Sequence, residues 1–238
     1  MLDPLPRTPL NSVHDLLLSQ LQGRNIRIYE AGGGSRSYLP LDSLNVVGTT
    51  VVDIDPAQLE NNSYADVKIL GDIQEHQFPS NSFDLIVCYN VIEHLDAPDK
   101  AIRLFLKALS PGGLVFLGAP NPSSFSGIVT KYTPHWFHVA FYRWVVGRKD
   151  AGKPGKGPFR TIYHRIVSPD ALVSFCEDLG FEVIYKDEYQ APHIRNLMTK
   201  RPVFGLALNT AFAVLNASSF GRKDFRNGDY HVVLKKPA

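Results

Sequence analysis

Residues 26–39 read Ile26-Arg27-Ile28-Tyr29-Glu30-Ala31-Gly32-Gly33-Gly34-Ser35-Arg36-Ser37-Tyr38-Leu39. A mostly apolar run ends on an acid, Glu30, and continues into three consecutive glycines. This pattern is typical of a buried parallel strand that delivers the chain to a tight turn. Glycine is required where the backbone takes a positive φ or approaches a ligand closely. The stretch therefore predicts a first strand and the nucleotide-binding turn of an open α/β sheet, with a purely structural turn as the alternative.

The rest of the chain continues as an alternation of strands and helices. An amphipathic helix over residues 10–23, capped by Asn11 or Ser12, precedes the first strand. Hydrophobic runs bounded by turn residues predict further strands at 46–53, 67–70, 83–89, 114–119, 181–185 and 230–234. Helices are predicted at 99–109, 168–179 and 203–217. This alternation requires a mainly parallel sheet covered on both faces, which is an α/β fold.

Residues 123–164 break the alternation directly after the fifth strand, and they are rich in aromatic residues, glycine and bases. We predict a single domain over residues 1–238, in which residues 123–164 form an inserted lid with a hinge at Gly147–Pro158. The lid is expected over the carboxyl edge of the sheet, because ligands bind there in such folds. Its aromatic residues are Phe125, Tyr132, Trp136, Phe137, Phe141, Tyr142 and Trp144.

Composition places the chain among ordinary globular proteins. Its 238 residues are 44% hydrophobic and 20% charged, which suffices for one sizeable core. Cys88 and Cys176 stand in apolar contexts without metal-ligand spacing, so we expect buried free thiols. Residues 1–9 contain no apolar segment typical of a secretory signal, and no long apolar run predicts a spanning helix. We expect a cytoplasmic protein.

The net charge of +2 hides an asymmetry between the two parts of the chain. Residues 1–100 contain 14 acids and 6 bases, whereas residues 101–238 contain 9 acids and 19 bases. The excess is densest between Arg143 and Arg165, in and beside the predicted hinge. A solvated loop is the simpler interpretation. Attraction of an anionic substrate or of a membrane surface is the alternative.

The order of these signals resembles the class I S-adenosylmethionine (SAM) dependent methyltransferases, over nearly the whole chain except the insertion and residues 190–225. Five motifs carry the resemblance: the acid and glycine turn at 30–34, Asp53 followed by Asp55-Pro56, Gly71-Asp72, Ser82-Phe83-Asp84, and Leu109-Ser110-Pro111-Gly112-Gly113. The resemblance implies a Rossmann-like sheet of seven strands with the last one antiparallel.

The resemblance also implies SAM as cofactor. In that family the glycine turn approaches the methionine part of SAM, Asp53 would accept from the ribose hydroxyls, and Asp72 would accept from the adenine amino group. The implied cofactor-binding residues are Glu30, Ala31, Gly32, Gly33, Gly34, Asp53, Ile54, Asp72, Ile73 and Asn90, with Ile73 packed on the adenine ring. A nicotinamide-dependent Rossmann enzyme is the alternative, and it would need a glycine where Ser37 stands.

The segment Asn90-Val91-Ile92-Glu93-His94 follows the fourth strand. It looks like the Glu-x-x-Glu-His segment of the ubiquinone-pathway O-methyltransferases and the small-RNA 2′-O-methyltransferases, which hold a divalent metal. Here Glu93 and His94 match, Asn90 replaces the first glutamate, and His164 is the candidate distal ligand. Because Asn90 lowers the ligand charge, a divalent metal is the less favoured reading. We predict no metal ligands and a hydrogen-bonding, pocket-lining role for Glu93 and His94.

His135, Trp136 and His138 are the next candidates, and two interpretations stay open. The histidines line an acceptor pocket with one of them as base, or a lid helix packs its Trp and Phe on the core with the histidines at its edge. We predict Glu93, His94 and His135 as the catalytic residues.

The predicted function is SAM-dependent methyl transfer to a small-molecule acceptor, in first place a hydroxyl of a metabolite, glycan or lipid-linked intermediate. N-methylation, methylation of a nucleic acid and SAM binding without turnover are the alternatives. No nucleic-acid partner is expected, since no RNA-binding module is recognisable. Peripheral membrane contact stays open, and the sequence does not predict an oligomeric state.

Overall fold

The structure is a computed structural model that describes residues 8–153, 157, 159, 161–162, 164–220 and 222–238. Residues 1–7, where the absence of a secretory signal was expected, lie outside the described residues. The same holds for part of the predicted hinge, including Pro154–Lys156 and Pro158, and for Arg160.

Seven strands form one sheet. Their bounds are β1 Ile26–Ala31, β2 Val46–Asp53, β3 Val67–Leu70, β4 Phe83–Tyr89, β5 Leu109–Pro120, β6 Glu182–Tyr189 and β7 Asp229–Lys235. Their order across the sheet is β3-β2-β1-β4-β5-β7-β6. Strands β1 to β5 are parallel, whereas β7 runs antiparallel to both β5 and β6. The prediction of a seven-stranded α/β sheet with an antiparallel last strand is confirmed.

Eight α-helices connect and cover the strands. They are α1 Pro9–Leu21, α2 Pro56–Glu60, α3 Pro98–Ala108, α4 Phe125–Tyr132, α5 His135–Trp144, α6 Pro169–Asp178, α7 Pro192–Lys200 and α8 Pro202–Ser218, counted over the described residues. Six of them begin at a proline. The proline ring presets a helical φ, and its missing N–H would have no intrahelical partner at that position.

The core has one layer on each side of the sheet. On one side α1 buries Val13, Leu17 and Leu21 against strand residues such as Ile28 and Leu85. Burial of each such side chain contributes roughly 1.5–3 kcal/mol of hydrophobic free energy. On the other side α3 and α6 pack on the sheet. Both cysteines are free and buried. Of the helices described, none is long and apolar enough to cross a membrane.

The connection from β1 to β2 contains no α-helix. Residues 32–45 run as turns and one short 3₁₀ segment, Leu41–Ser43. Leu39 from this connection joins the α1 layer of the core. The glycine turn is therefore followed by irregular chain.

Three local predictions need correction. Thr8 caps α1, not Asn11 or Ser12, because it directly precedes Pro9 and its hydroxyl oxygen accepts from the backbone N–H of Asn11. Strand β5 begins at Leu109, which pairs with Phe83, and the chain crosses Ser110–Gly113 as an irregularity with Gly112 at φ +67°. Strand β6 extends to Tyr189 because it pairs with β7 along its whole length. Helix α7 was not predicted.

Candidate active site

After β1, the glycine turn takes a conformation in which side chains would clash with neighbouring atoms. Gly32 and Gly34 have φ values of +70° and +56°. A Cβ atom on Gly32 would lie 2.6 Å from Cγ2 of Val91, and one on Gly33 would lie 2.8 Å from Cβ of Glu30. Both distances are too short for carbon atoms, so the turn requires glycine here.

Glu30 is buried beneath this turn and orders it. The hydroxyl of Ser37 donates to its Oε1, and the hydroxyl of Tyr64 donates to its Oε2 at 3.0 Å. Burial raises the pKa of the Glu30 carboxyl, while these two hydrogen bonds act in the opposite direction. Sequence reasoning missed Tyr64, which comes from the loop before β3 and has no motif of its own.

Two further acids stand at the carboxyl ends of β2 and β3. Asp53 accepts from the backbone N–H of Gly34 at 2.9 Å and from that of Asp55 at 2.8 Å. Asp72 accepts from the backbone and the side-chain amide of Gln74, at 2.8 and 3.1 Å. Each carboxylate thus has a fixed orientation and retains lone pairs for a ligand's donors.

The two predicted isoleucines differ in exposure. Ile73 belongs to the buried core, whereas the side chain of Ile54 is 74% exposed beside Asp53. Ile54 therefore offers more apolar area to a ligand than Ile73. Asn90 follows β4 at φ +56°, a region that asparagine tolerates better than most residues, and its N–H donates to Gly118 at 2.7 Å.

Glu93 lies in a short 3₁₀ helix, Ile92–His94, just beyond β4. It is 3% exposed, and its Oε2 is buried with no hydrogen-bond partner among the described residues. Nε2 of His94 lies 3.6 Å from its Oε1. Burial raises the pKa of the Glu93 carboxyl to about 8, and the charge of Asp229 adds to this shift. A buried carboxyl with unmet hydrogen-bonding capacity is typical of a functional site.

A cavity of about 450 Å³ opens beside Glu93. The strand ends contribute Glu93, His94 and Asp229 to its wall, and the segment after β5 contributes His135, His138 and Tyr142. His193 of α7 completes this part of the wall, and burial together with the charge of Arg148 lowers its pKa.

The helices of the segment after β5 are anchored at its first turn. The hydroxyl of Ser124 accepts from the N–H of Gly127 at 3.0 Å and so caps α4. A Cβ atom on Gly127 would lie 2.4 Å from the carbonyl oxygen of Asn121, so α4 begins pressed against the end of β5. In α5, His135 lines the cavity, while its neighbour Trp136 is 69% exposed and does not.

The three candidate metal ligands are not brought together. His164 is exposed, and its Nδ1 accepts from the N–H of Ile166 at 3.5 Å. Over the described parts of the chain, no group of three or more His, Cys, Asp or Glu side chains has an arrangement that could hold a metal ion. Glu93, His94 and His164, as the structure describes them, therefore do not fit the metal site of the Glu-x-x-Glu-His enzymes.

Sequence reasoning missed Asp229 and His193 as cavity residues. Asp229 begins β7, and it reaches the site because it pairs with Pro120 at the end of β5. Burial raises its pKa to about 6. Neither residue stands in a recognisable motif, so no sequence signal could have selected them.

Comparison with known proteins decides the family. Residues 6–186 match the family model described as a methyltransferase domain. The chain belongs to this family. As predicted, this is the family of the SAM-dependent methyltransferases, and membership implies an enzyme with SAM as its cofactor.

Curated relatives of this methyltransferase include ubiquinone biosynthesis O-methyltransferases. The protein of that name from Xanthomonas oryzae pv. oryzae (strain PXO99A) is 27% identical over 139 residues, covering 51% of this chain and 56% of the relative. The one from Bordetella avium (strain 197N) is 25% identical over 136 residues, covering 49% and 55%. The chain thus spans about half the length of the curated relatives it matches.

Solved structures show the same fold at low identity. A SAM-dependent methyltransferase from Mesorhizobium loti superimposes with a TM-score of 0.58 at 15% identity, covering 93% of this chain and 96% of that one. The [4+2]-cyclase SpnF superimposes with a TM-score of 0.57 at 17% identity, covering 96% and 82%. These likenesses concern the fold alone, and the cyclase illustrates that one fold serves different reactions.

The residues at the strand ends fit SAM. Two carboxylates with spare acceptor capacity, Asp53 and Asp72, stand at the ends of the neighbouring strands β2 and β3, and the exposed Ile54 directly follows Asp53. A nucleoside presents hydroxyl and amino donors around an apolar ring, so this set of acceptors and apolar surface complements it.

Proposed function

We propose that this methyltransferase transfers the methyl group of SAM to a hydroxyl of a small-molecule acceptor held in the cavity beside Glu93. The observation that carries the proposal is the Glu93 carboxyl, which is buried, lines the cavity and has an unpartnered oxygen within the described residues. The names of the curated relatives, which are O-methyltransferases, agree with a hydroxyl acceptor.

In this proposal the glycine turn and the strand-end acids hold the cofactor. The backbone of Gly32–Gly34 approaches the amino-acid part, Asp53 accepts from the ribose and Asp72 from the adenine, beside Ile54 and Ile73. Asn90 joins this set as the first residue after β4. When bound, SAM supplies an electrophilic methyl group.

Glu93 acts as the general base. A hydroxyl acceptor must lose its proton as its oxygen forms the bond to carbon, and a nearby carboxylate can take that proton. With a pKa of about 8, the Glu93 carboxylate is a stronger base than an ordinary glutamate. A base is most effective when its pKa lies near the working pH, so the burial of Glu93 tunes it for this role.

The segment 123–164 is the acceptor lid. His135 from α5, together with His94, contacts the acceptor and orients its hydroxyl toward Glu93. Closure of α4 and α5 over the cavity keeps water away, which strengthens polar contacts inside and prevents loss of the methyl group to water.

An amine acceptor is the second candidate, and Asp229 is the observation that favours it. Asp229 and Glu93 line the same cavity, so two carboxyl groups could receive one cationic ammonium group. In that case the two carboxylates would bind the ammonium group by charge, one of them would take its proton, and the lone pair of the resulting neutral amine would accept the methyl group.

The test is release of S-adenosylhomocysteine from SAM with matched acceptor pairs that differ only in a hydroxyl or an amine. We expect turnover with hydroxyl compounds and a fall in kcat/KM below about pH 8, where Glu93 is protonated. Glu93→Gln should lower kcat by roughly 100-fold or more, the usual contribution of a general base. Turnover with the amines alone, or full activity of Glu93→Gln, would contradict the proposal.

A further inference from the structure

Helix α8 is apolar on its outer side as well as its inner side. It extends over Pro202–Ser218 without a single charged residue. Gly205 and Phe212 face inward, and the ring of Phe212 packs edge-on against Phe125 of α4 at 5.7 Å between centroids. The outer residues Val203, Leu206 and Val214 are 82, 70 and 63% exposed.

These outer residues form one continuous strip. One helix face carries six exposed residues, five of them apolar: Val203, Leu206, Ala207, Thr210, Val214 and Ala217. Beyond the helix, Phe220 is 89% exposed. A helix that is hydrophobic all round is normally covered on all sides, and an uncovered apolar patch marks an interaction site. We call the strip, together with Phe220, the α8 face.

The α8 face is bordered by positive charge at both ends. Residues 190–223 contain no Asp or Glu, and the carboxylate of the next residue, Asp224, accepts from the side-chain amide of Asn216 at 3.0 Å. Lys200 and Arg201 precede the helix and Arg222 and Lys223 follow it, and all four are exposed. The face therefore combines an apolar strip with two basic ends.

We propose that the α8 face docks on the surface of an anionic lipid bilayer. Apolar side chains that enter the headgroup region, flanked by bases that pair with lipid phosphates, are the features that hold a helix at such an interface. The inner side of α8 stays packed on α4 through Phe212, so the helix lies along the surface as part of the folded protein.

A second copy of the chain fits this face less well. In a symmetric pair the same patch serves both partners, so basic ends would meet basic ends whether the two α8 helices ran parallel or antiparallel. Repulsion between these like charges disfavours that pairing, whereas anionic headgroups attract them.

The experiment is flotation of the full chain with vesicles of phosphatidylcholine, alone or mixed with phosphatidylglycerol. We expect binding to the mixed vesicles that weakens in high salt. The double variant Leu206→Glu, Val214→Glu should lower the partition coefficient by about tenfold or more, because charged groups resist entry into the apolar region. The matched control is Val47→Glu, since Val47 is equally apolar and 59% exposed but stands on β2.

A second variant keeps the test independent of any folding defect in the first. Arg222→Glu, Lys223→Glu lies outside the helix and should lower binding about fivefold or more for each charge reversed. Melting temperature and S-adenosylhomocysteine affinity serve as folding controls for all variants. Absence of vesicle binding by the wild type would overturn the proposal. So would a concentration-dependent dimer that the Leu206→Glu, Val214→Glu variant abolishes while vesicle binding persists.

This inference does not rest on the proposed acceptor or on Glu93. A methyltransferase that methylates amines, or no hydroxyl at all, would leave the vesicle experiment unchanged. Helix α8 does border the cavity elements, because it contacts α7, which carries His193, and α4, which carries Lys131.

Discussion

The burial of Glu93 has opposite effects on stability and on basicity. Its burial disfavours the charged form, so the carboxylate costs the native state free energy whenever the pH forces it to ionise. The same burial makes it a stronger base toward an acceptor proton. In our proposal, burial of this residue therefore favours activity and lowers the stability of the native state, a trade-off that is common in active sites.

The pH dependence of stability provides a first prediction. The folded pKa of Glu93 is about 8 and its ordinary value is 4.5, so between these limits the native state binds more protons than the unfolded state. The stability that protonated Glu93 contributes is complete below pH 4.5 and is lost as the pH rises through 8. Glu93→Gln, which stays neutral, should leave the melting temperature almost unchanged at pH 5.

At pH 9 the same variant should be more stable than the wild type by about 1–3 kcal/mol, the usual range for relief of a buried unsatisfied group. Thermal melts at the two pH values measure this difference. Asp229 also has a raised pKa, so Asp229→Asn is the matched comparison for its separate contribution. Equal effects of Glu93→Gln at both pH values would contradict the buried-acid reading.

Asp53 provides a second prediction at this scale. Asp53→Ala removes acceptors for the backbone of Gly34 and, in our proposal, for the ribose hydroxyls. SAM affinity measured by calorimetry should fall by roughly 1–3 kcal/mol, the cost of leaving buried polar partners unmet. Asp55→Ala is the control, because Asp55 caps α2 through Ala57 at 2.9 Å. A similar loss of affinity in both variants would assign the effect to the turn's structure.

Helix α5 places two neighbouring side chains in different surroundings. His135 lines the cavity, whereas Trp136 points to the outside, and the two are adjacent in sequence. The aromatic residues after β5 have different surroundings: Tyr142 lines the cavity, Phe125 packs on α8, and Trp136 and Trp144 are exposed rather than packed on the core.

The third prediction compares these neighbours. His135→Ala should lower kcat/KM for the acceptor by roughly tenfold or more through loss of a positioning contact, and leave SAM affinity nearly unchanged. Trp136→Ala should leave both near the wild type. Steady-state kinetics and calorimetry on the two variants measure this. Loss of SAM affinity in His135→Ala would assign α5 to the cofactor site, and equal loss of turnover in both variants would indicate a general role in folding.

In the whole molecule, the strand order determines which residues meet at each half of the sheet edge. Strands β1, β2 and β3 are neighbours, so the glycine turn, Asp53 and Asp72 converge on one half of the edge. Strands β4, β5 and β7 converge on the other half and bring Glu93 and Asp229 together around the cavity. In our proposal the first half holds the cofactor and the second half holds the acceptor.

The fourth prediction tests this division. SAM and S-adenosylhomocysteine should bind with micromolar affinity in calorimetry, and NAD should not bind. The reason is that Ser37, engaged with Glu30, occupies the place where a dinucleotide-binding turn needs glycine for close helix packing. Binding of NAD in place of SAM would contradict the assignment of the turn.

The sequence by itself determined the cofactor half of this protein. A buried strand, the glycine turn and the acids at the ends of β2 and β3 are local signals, because each depends on hydrophobic period, turn chemistry and position at the end of one strand. The alternation of elements then determines that these ends share one edge. Glu30, Asp53 and Asp72 could therefore be selected, together with six of the seven strands to within a few residues.

The acceptor half was decided by the tertiary structure. Glu93, His135, His193 and Asp229 come from four separated segments, and only the insertion of β7 between β5 and β6 brings Asp229 beside Glu93. The orientation of a helix is likewise set by what it packs against. The sequence did select Glu93 and His135 as candidates. It could not tell that His135 lines the cavity while Trp136 does not, or that one side of α8 is exposed among the described residues. Such features arise from contacts distant in sequence, which no local pattern encodes.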